Sequence, residues 1–485
     1  MSSFLVIISK CLSSGFSLLG GVILARSLST EVYGTYSQII LIATSGMLIA
    51  NVSLPKSLYY YLPISSQAEK KSVVVQIFVM STVTTLFFSG LLYCLMGWIA
   101  IQLNNPFLSL CYFLIPLYMF FLSMADMYEP FFMSMGKLHM VTLMDIAACV
   151  WQLIVICIVV LMGQSIILIV AGIIVAQFVK VLVLLLSIRN LDGSVGVKGL
   201  KQGLVDKVRY SFPLMFSTVI GVVGKRMDQL IISSMFMPSA YAIYARGAFE
   251  LPFVSILPFT LSNILLPKYS EKMAANRLGE VILLFSESAR QVALVFFPLT
   301  VLLYLLSEPF IVFLFSDKFI DSHEVFRVYL LMLPLRITVY GTVSRACGRT
   351  DIILKAVILF FFCNVVASVL LIHLMGSVGA AWGTIFAVFV NTMYLLKQNI
   401  RLLKTGLKQI LPWGALLKNM IVALVAGGFT LPVVNVMESN LSALLFGTIV
   451  FSLVYVLFAY FTGCLTQDDI IFLRKCFSLS RKSLA

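Results

Sequence analysis

The side chains that could do chemistry in this chain are ionisable groups set inside long apolar stretches. One stretch carries Lys225, Arg226 and Asp228, the next Arg246 and Glu250, and a later one Arg336, while Lys10, Asp145 and Lys180 lie in earlier ones. An ionised side chain in hydrocarbon costs a few kcal/mol or more, so such groups face a protein interior or a water-filled cavity. Counted inward from the ends of their stretches, Arg226, Glu250 and Arg336 each lie about eleven residues deep, roughly 16 Å at helical rise and near a bilayer midplane. Three helices contributing a charge at one depth is what a central binding site requires. Basic groups outnumber acidic ones here, and a cationic cavity of low dielectric attracts an anion. Phosphate or pyrophosphate suits the planar donor fork of arginine. A structural alternative stays open for two pairs. Lys225 with Asp228 at i, i+3 and Arg246 with Glu250 at i, i+4 could neutralise each other along one helix face. Arg226 and Arg336 have no acid so spaced, which favours a cavity for them. Lys10 is read as snorkelling to the interface.

The elements that must position these groups follow from composition. Of 485 residues, 61% are hydrophobic and 11% charged, with a mean hydropathy of +1.04. A soluble domain carries about 25% charged residues, so a soluble enzyme, a disordered chain and a secreted disulfide scaffold are excluded. Apolar stretches recur almost end to end and predict an all-α polytopic membrane protein with about fourteen transmembrane helices, each of roughly 20 residues. Spans are expected at 107–127, 139–162, 239–266, 288–308 and 323–345, among others, with a last pair at 414–436 and 441–464. An even number puts both termini on one side. Arg189, Lys198, Lys201, Lys207 and Arg209, then Lys397, Arg401, Lys404, Lys408 and Lys418, cluster on that side, while Gly163-Gln164-Ser165 and other opposite loops are uncharged. The positive-inside rule makes the charged side, and both termini, cytoplasmic. The net charge of +14 therefore belongs to inter-helix loops, and no nucleic-acid partner is expected. Nine cysteines without a CxxC pair read as packing residues. The first segment lacks a basic leader and a cleavage pattern and reads as a retained helix. Short loops leave no room for a soluble domain. They carry no Walker A, GxSxG, HExxH or paired-carboxylate motif, so no enzyme activity, cofactor or metal is expected.

An internal duplication organises the helices. Tyr33-Gly-Thr-Tyr36 returns as Tyr241-Ala-Ile-Tyr244, Leu54-Pro55-Lys56 as Leu266-Pro267-Lys268, Gly136-Lys137 as Gly348-Arg349, and Leu161-Met162-Gly163 as Leu374-Met375-Gly376, at offsets of 208 to 213 residues. That distance spans an even number of helices, so the halves share orientation, as parallel repeats do. The expected architecture is two parallel six-helix repeats, 1–200 and 201–405, followed by a C-terminal helix pair and tail, 406–485. A cleft between two such lobes would open alternately inward and outward. Duplicated many-helix chains without a soluble domain point to transport, and buried arginines would be a costly way to build an assembly scaffold.

Several motifs resemble a known family. Val22-Ile-Leu-Ala-Arg26 and Tyr33-Gly34-Thr-Tyr36 look like the first- and second-helix signature of bacterial polysaccharide transporters. These are the O-antigen and exopolysaccharide flippases of the multidrug-oligosaccharidyl-lipid-polysaccharide flippase superfamily. Ser211-Phe-Pro213, Asp228-Gln-Leu-Ile-Ile232, Tyr241 to Arg246, Leu266-Pro267-Lys268 and Gly376-Ser-Val-Gly379-Ala-Ala-Trp-Gly383 agree, and the likeness covers about 4–400. It implies a flippase of the bacterial inner membrane, with undecaprenyl-pyrophosphate-linked oligosaccharide as substrate, a proton or sodium gradient as drive, and alternating access as mechanism. Membrane lipid and other polysaccharide assembly proteins would be its partners. Carried over, Arg226, Arg246 and Arg336, with Lys225 beside them, would hold pyrophosphate or acidic sugars. Asp228, Glu250 and Asp145 would be candidates for ion coupling, and Tyr241, Tyr244 and Trp382 for stacking on sugar rings, although packing serves those aromatics equally well. No first-half residue matches a functional position of the family clearly. A drug exporter of the same fold would need an acidic or apolar cavity. A lipid II flippase carries a chemically similar substrate and is not separated by composition. A membrane transferase or polymerase is disfavoured by the short loops.

Overall fold

The computed structural model describes residues 2–163, 166–191, 204–249 and 251–464, and among them every regular element is a helix. Nine of these helices are long and apolar enough to cross a membrane. The chain is a multi-pass membrane protein.

Two compact units divide it, Met1–Ile243 and Tyr244–Ala485. The first holds α1 (Ser2–Ser27), α2 (Thr30–Ala50), α3 (Leu54–Ile64), α4 (Gln67–Gln102), a 3-10 turn at Pro106–Cys111, α5 (Leu114–Ala125), α6 (Tyr128–Ser134), α7 (Leu138–Leu161), α8 (Ile166–Arg189) and α9 (Leu204–Met235). The boundary falls within α10 (Pro238–Gly247). The second unit continues with α11 (Pro252–Ala274), α12 (Leu278–Leu305), α13 (Ser307–Phe315), α14 (Ser322–Leu330), α15 (Met332–Leu335), α16 (Gly341–Ala346), α17 (Thr350–Met375), α18 (Ser377–Leu402), the short α19 (Leu407–Ile410), α20 (Trp413–Val436) and α21 (Asn440–Phe461). By repeat position α9 opens the second half, yet it packs on α2 and α3 of the first unit.

Local sequence sets these ends. The Ser29 hydroxyl accepts from the Val32 amide at 3.3 Å and starts α2, and Glu69 accepts from the Ser66 amide at 3.2 Å to start α4, as helix N-termini require. The duplication is legible in the backbone itself. Gly136 and Gly348 both turn left-handed, with φ of 73° and 69°. Their successors close equivalent bonds, Lys137 N–H to the Phe132 carbonyl and Arg349 N–H to the Ser344 carbonyl, both at 2.9 Å. Two family-like motifs acquire a packing reason. A Cβ at Gly34 would stand 1.9 Å from the Pro238 carbonyl oxygen, so the Tyr-Gly-Thr-Tyr motif lets α2 touch the start of α10. Gly379 and Gly383, spaced i, i+4, leave room for the Leu371 carbonyl and the Ser368 backbone, the close helix approach that small residues permit. Thr384 of α18 then donates to Asn364 Oδ1 of α17 at 3.2 Å across the contact, and Ser368 donates to the same oxygen from within α17 at 2.9 Å.

Three spans expected to be continuous are broken. The segment 239–266 parts before Pro252, where Leu251 is extended, because a residue preceding proline is driven out of the helical region. The segment 323–345 parts at Arg336, whose φ of −105° and ψ of 27° leave the helix, ahead of the β-branched run Ile337-Thr338-Val339. The segment 107–127 divides into the 3-10 turn and α5. A depth count along one uninterrupted helix therefore does not apply to Arg336.

The C-terminal pair docks on a proline. Pro298 lies inside α12 and cannot donate to the Leu294 carbonyl one turn back. The Tyr455 hydroxyl of α21 stands 3.1 Å from that carbonyl and 2.7 Å from Asn419 Oδ1 of α20, its proton serving either acceptor. Asn419 Nδ2 donates to the adjacent Ala293 carbonyl at 2.8 Å. Tyr455→Phe is expected to lower stability by about 1–2 kcal/mol, read as the thermal unfolding midpoint in detergent. In a Pro298→Ala background, where the alanine amide serves Leu294, the loss should shrink; equal losses in both backgrounds would refute the assignment. Gly383→Leu should cost about 1–3 kcal/mol through forced separation of α17 and α18. Gly90→Ala, where an added Cβ meets open space, should leave the midpoint unchanged or slightly raised.

Candidate functional site

The ionisable residues singled out by sequence fall into three settings. In the first unit, α9 presents Arg226 half-buried, Lys225 exposed and Asp228 fully buried. The Arg226 Nη1 donates to the Thr44 hydroxyl of α2. The phenols of Tyr118 on α5 and Tyr241 on α10 stand close enough to feel the guanidinium charge, and Tyr241 also feels Asp228. Tyr36, which is hydrogen-bonded to Gln152, lies near Tyr118. A guanidinium carries five N–H donors in one plane, and here the Thr44 hydroxyl accepts from one of them.

In the second unit, Arg246 closes α10 with its Cζ 4.9 Å above the Phe315 ring centroid, a cation–π contact. Phe249 meets the same Phe315 edge-on, at 6.4 Å. It also lines a small cavity of about 20 Å³ with Leu251, Tyr329, Leu333 and Arg336. Arg246 and Arg336 thus share one aromatic neighbourhood, and the helix break at Arg336 forms part of the cavity wall. Glu250 lies outside the described residues.

The third setting is an ion pair. Lys180 Nζ of α8 lies 2.8 Å from Asp145 Oδ1 of α7, with the two side chains 17% and 21% exposed. The sequence reading left Asp145 without a partner, because Lys180 is 35 residues away along the chain. Asp126 accepts from Asn51 Nδ2 at 2.9 Å. The Lys10 side chain is outside the described residues. Of the aromatics considered for sugar stacking, Tyr241 and Tyr244 are buried at 2% and 0% exposure, and Tyr244 pairs hydroxyl to hydroxyl with Tyr329 at 3.4 Å. Both therefore pack, whereas Trp382 is exposed.

Charge-based reading missed a neutral network. Buried Asn105 donates through Nδ2 to Thr35 Oγ1 at 2.9 Å and to Gln38 Oε1 at 2.7 Å. Gln38 Nε2 donates to Ser233 Oγ at 3.1 Å and to the Leu103 carbonyl at 3.3 Å. Asn104 Nδ2 reaches the Ser234 carbonyl at 3.3 Å. The network fastens the end of α9 to α2 and to the end of α4. Its one visible signal was Asn104-Asn105-Pro106, a turn signature that names no partner. Among the described residues no His, Cys, Asp or Glu cluster is grouped to hold a metal ion.

Comparison with known proteins adds the family. Residues 23–324 match the model of a family described as polysaccharide biosynthesis protein. No curated protein matches in sequence. Among solved structures, the lipid II flippase MurJ in an inward closed conformation superposes with a TM-score of 0.75 at 16% identity, covering 94% of this chain and 98% of that one. An inward-facing multidrug resistance MATE family transporter of the MOP superfamily gives 0.64 at 10% identity, covering 83% and 99%. A MOP superfamily transporter from Pyrococcus furiosus, described as having a binding pocket of reversed polarity, gives 0.53 at 12% identity, covering 83% and 95%. At these identities the likeness is one of fold, and the chain has the architecture these transporters share. By the family match over most of its length, the chain belongs to the polysaccharide biosynthesis protein family.

Proposed function

We propose that this protein is a flippase of the bacterial inner membrane, with both termini cytoplasmic. It carries undecaprenyl-pyrophosphate-linked oligosaccharide units, the O-antigen or exopolysaccharide repeat, to the outer leaflet by ion-coupled alternating access. The observation that carries the reading is Arg226, a half-buried guanidinium in an apolar helix, held by the Thr44 hydroxyl beside the phenols of Tyr118 and Tyr241. A pyrophosphate cannot cross hydrocarbon unaided. A guanidinium offers it two parallel charge-assisted hydrogen bonds in low dielectric. Arg246 and Arg336 in the second unit and the exposed Lys225 in the first are further candidates for holding the substrate's charge. Membership of a polysaccharide biosynthesis family supports a glycan-bearing substrate. A drug exporter would place anionic or apolar groups where these arginines stand.

For ion coupling the candidates are Asp228, Glu250 and Asp145. Protonation of Asp145 would release Lys180, and sodium could compete with that lysine for the carboxylate. Either event ties the ion to a change in how α7 holds α8.

The direct test is transport. The protein is reconstituted in liposomes carrying a fluorescent undecaprenyl-pyrophosphate oligosaccharide, and the label reached by an external quencher is followed under an imposed proton or sodium gradient. Arg226→Ala and Arg336→Ala, each folded by thermal midpoint, should slow translocation about tenfold to a hundredfold, the worth of one or two charge-assisted hydrogen bonds. Arg226→Lys should be intermediate. Rates within twofold of wild type would remove these arginines from the site. Selective movement of lipid II would reassign the substrate, and drug efflux without glycan movement would make the protein an exporter.

The ion pair makes a separate prediction. Lys180→Met should destabilise by about 1–2 kcal/mol, between the exposed and buried cases, and Asp145→Asn/Lys180→Met should regain most of that loss. If Asp145 couples the ion, the double variant should fold and bind substrate but respond weakly to the gradient. A wild-type gradient response would leave the pair purely structural.

A further inference from the structure

A second cavity lies elsewhere, within the second unit, between α12, the start of α20 and the end of α21. It measures about 360 Å³ and is lined by Arg290, Leu294, Gly414, Lys418, Asn419 and Cys464 among others, a size within the range of about 300–1,000 Å³ typical of ligand pockets. Two of its walls are cationic and come from different helices. The Arg290 side chain is 20% exposed and keeps a long contact of 3.9 Å with the exposed Glu287 carboxylate. Lys418 reaches across to Gly463, its Nζ 3.9 Å from where a Cβ there would stand. Gly414 and Ala415 belong to the first turn of the 24-residue α20. Helix N-termini turn backbone N–H groups outward, which adds positive potential. The floor is polar but settled, since Asn419 donates to the Ala293 carbonyl and accepts from Tyr455.

The rim decides what kind of anion fits. Trp413 and Leu417, flanking the cavity on α20, are 45% and 64% exposed, and exposed tryptophan beside apolar residues marks a membrane–water interface. The segment leading into α20 presents the exposed Arg401, Lys404 and Lys408. Leu403, Ile410 and Leu411 of that segment pack with Ala289 and Ala293 of α12, which puts this basic stretch at the same end as the cavity. An anion site with an apolar, interfacial rim and a basic surround has the polarity of a phospholipid: charge inside, acyl chains beside Trp413 and Leu417. We infer that this cavity holds the phosphodiester headgroup of an anionic glycerophospholipid, with Arg290 and Lys418 clamping the phosphate. It uses none of the residues assigned to the transported substrate or to the ion, so it stands or falls apart from that reading.

The test titrates purified full-length protein in detergent with phosphatidylglycerol and with phosphatidylcholine and counts bound lipids by native mass spectrometry. One phosphatidylglycerol should be retained in preference to phosphatidylcholine. Arg290→Gln/Lys418→Gln should weaken it about thirtyfold, each basic residue near an anionic headgroup being worth about 1 kcal/mol. Gly414→Leu fills the cavity without changing charge, at a position where an added Cβ meets no atom within 4 Å. It should abolish the same binding, with Gly414→Val as the milder filler if leucine impairs folding. Phosphatidylglycerol binding unchanged by the filler would show surface attraction and overturn the site. Inorganic phosphate competing as strongly as short-chain phosphatidylglycerol would overturn the lipid assignment in favour of a free anion.

Discussion

Hydrocarbon offers no hydrogen bonds, and that single fact organises this molecule. A backbone crossing a bilayer must satisfy every N–H and C=O within the protein, so the chain is helical, and each place where a helix fails needs a substitute from a side chain. At Pro298 the substitute is the Tyr455 hydroxyl, 3.1 Å from the Leu294 carbonyl. At the break after Arg336, Asn399 Nδ2 donates to the Tyr340 carbonyl at 2.9 Å and the Thr342 hydroxyl to the Val339 carbonyl at 2.7 Å. Where α4 ends, Gln38 takes the Leu103 carbonyl. The C-terminal pair, which has no counterpart in the repeat, is held to α12 by one hydrogen bond that a proline made necessary, from Tyr455, and by a second from Asn419 one residue away.

The same constraint explains what could be read in advance. Apolar length and the recurrence of short motifs are properties of sequence, and they yielded the helical class and the duplication, down to the left-handed glycines at 136 and 348. Continuity was not legible. Hydropathy runs unbroken through 239–266 and 323–345, whereas the backbone stops before Pro252 and at Arg336; a composition window registers apolarity and passes over the dihedral limits imposed by a proline or a β-branched run. The charged site candidates stood out because charge is rare here. Their partners did not: Thr44 is 182 residues from Arg226, and Lys180 is 35 from Asp145. The neutral amides of Gln38, Asn399 and Asn419 gave no signal, since their role is defined by carbonyls that only the folded backbone exposes, and Asn105 showed only a turn signature that names no partner.

Distinguishing the charges by their neighbours separates structure from function. Lys180 and Asp145 satisfy each other at 2.8 Å, an arrangement that holds two helices together and that an ion must open before it can bind the carboxylate. Arg226 is held differently. Among the described residues, a hydroxyl from Thr44 fixes its direction and the phenols of Tyr118 and Tyr241 stand within range of its charge. A carrier needs that distinction. A guanidinium already matched by a carboxylate would have to break a strong pair to take a phosphate. One joined by several further cations would not let its cargo go. Hydroxyl support costs an incoming anion little to displace or to share, and it restores the empty site once the anion leaves. On the function proposed above, in which a pyrophosphate-linked lipid is bound and released in each cycle, weak neutral support around a positive charge is the arrangement that keeps both steps accessible.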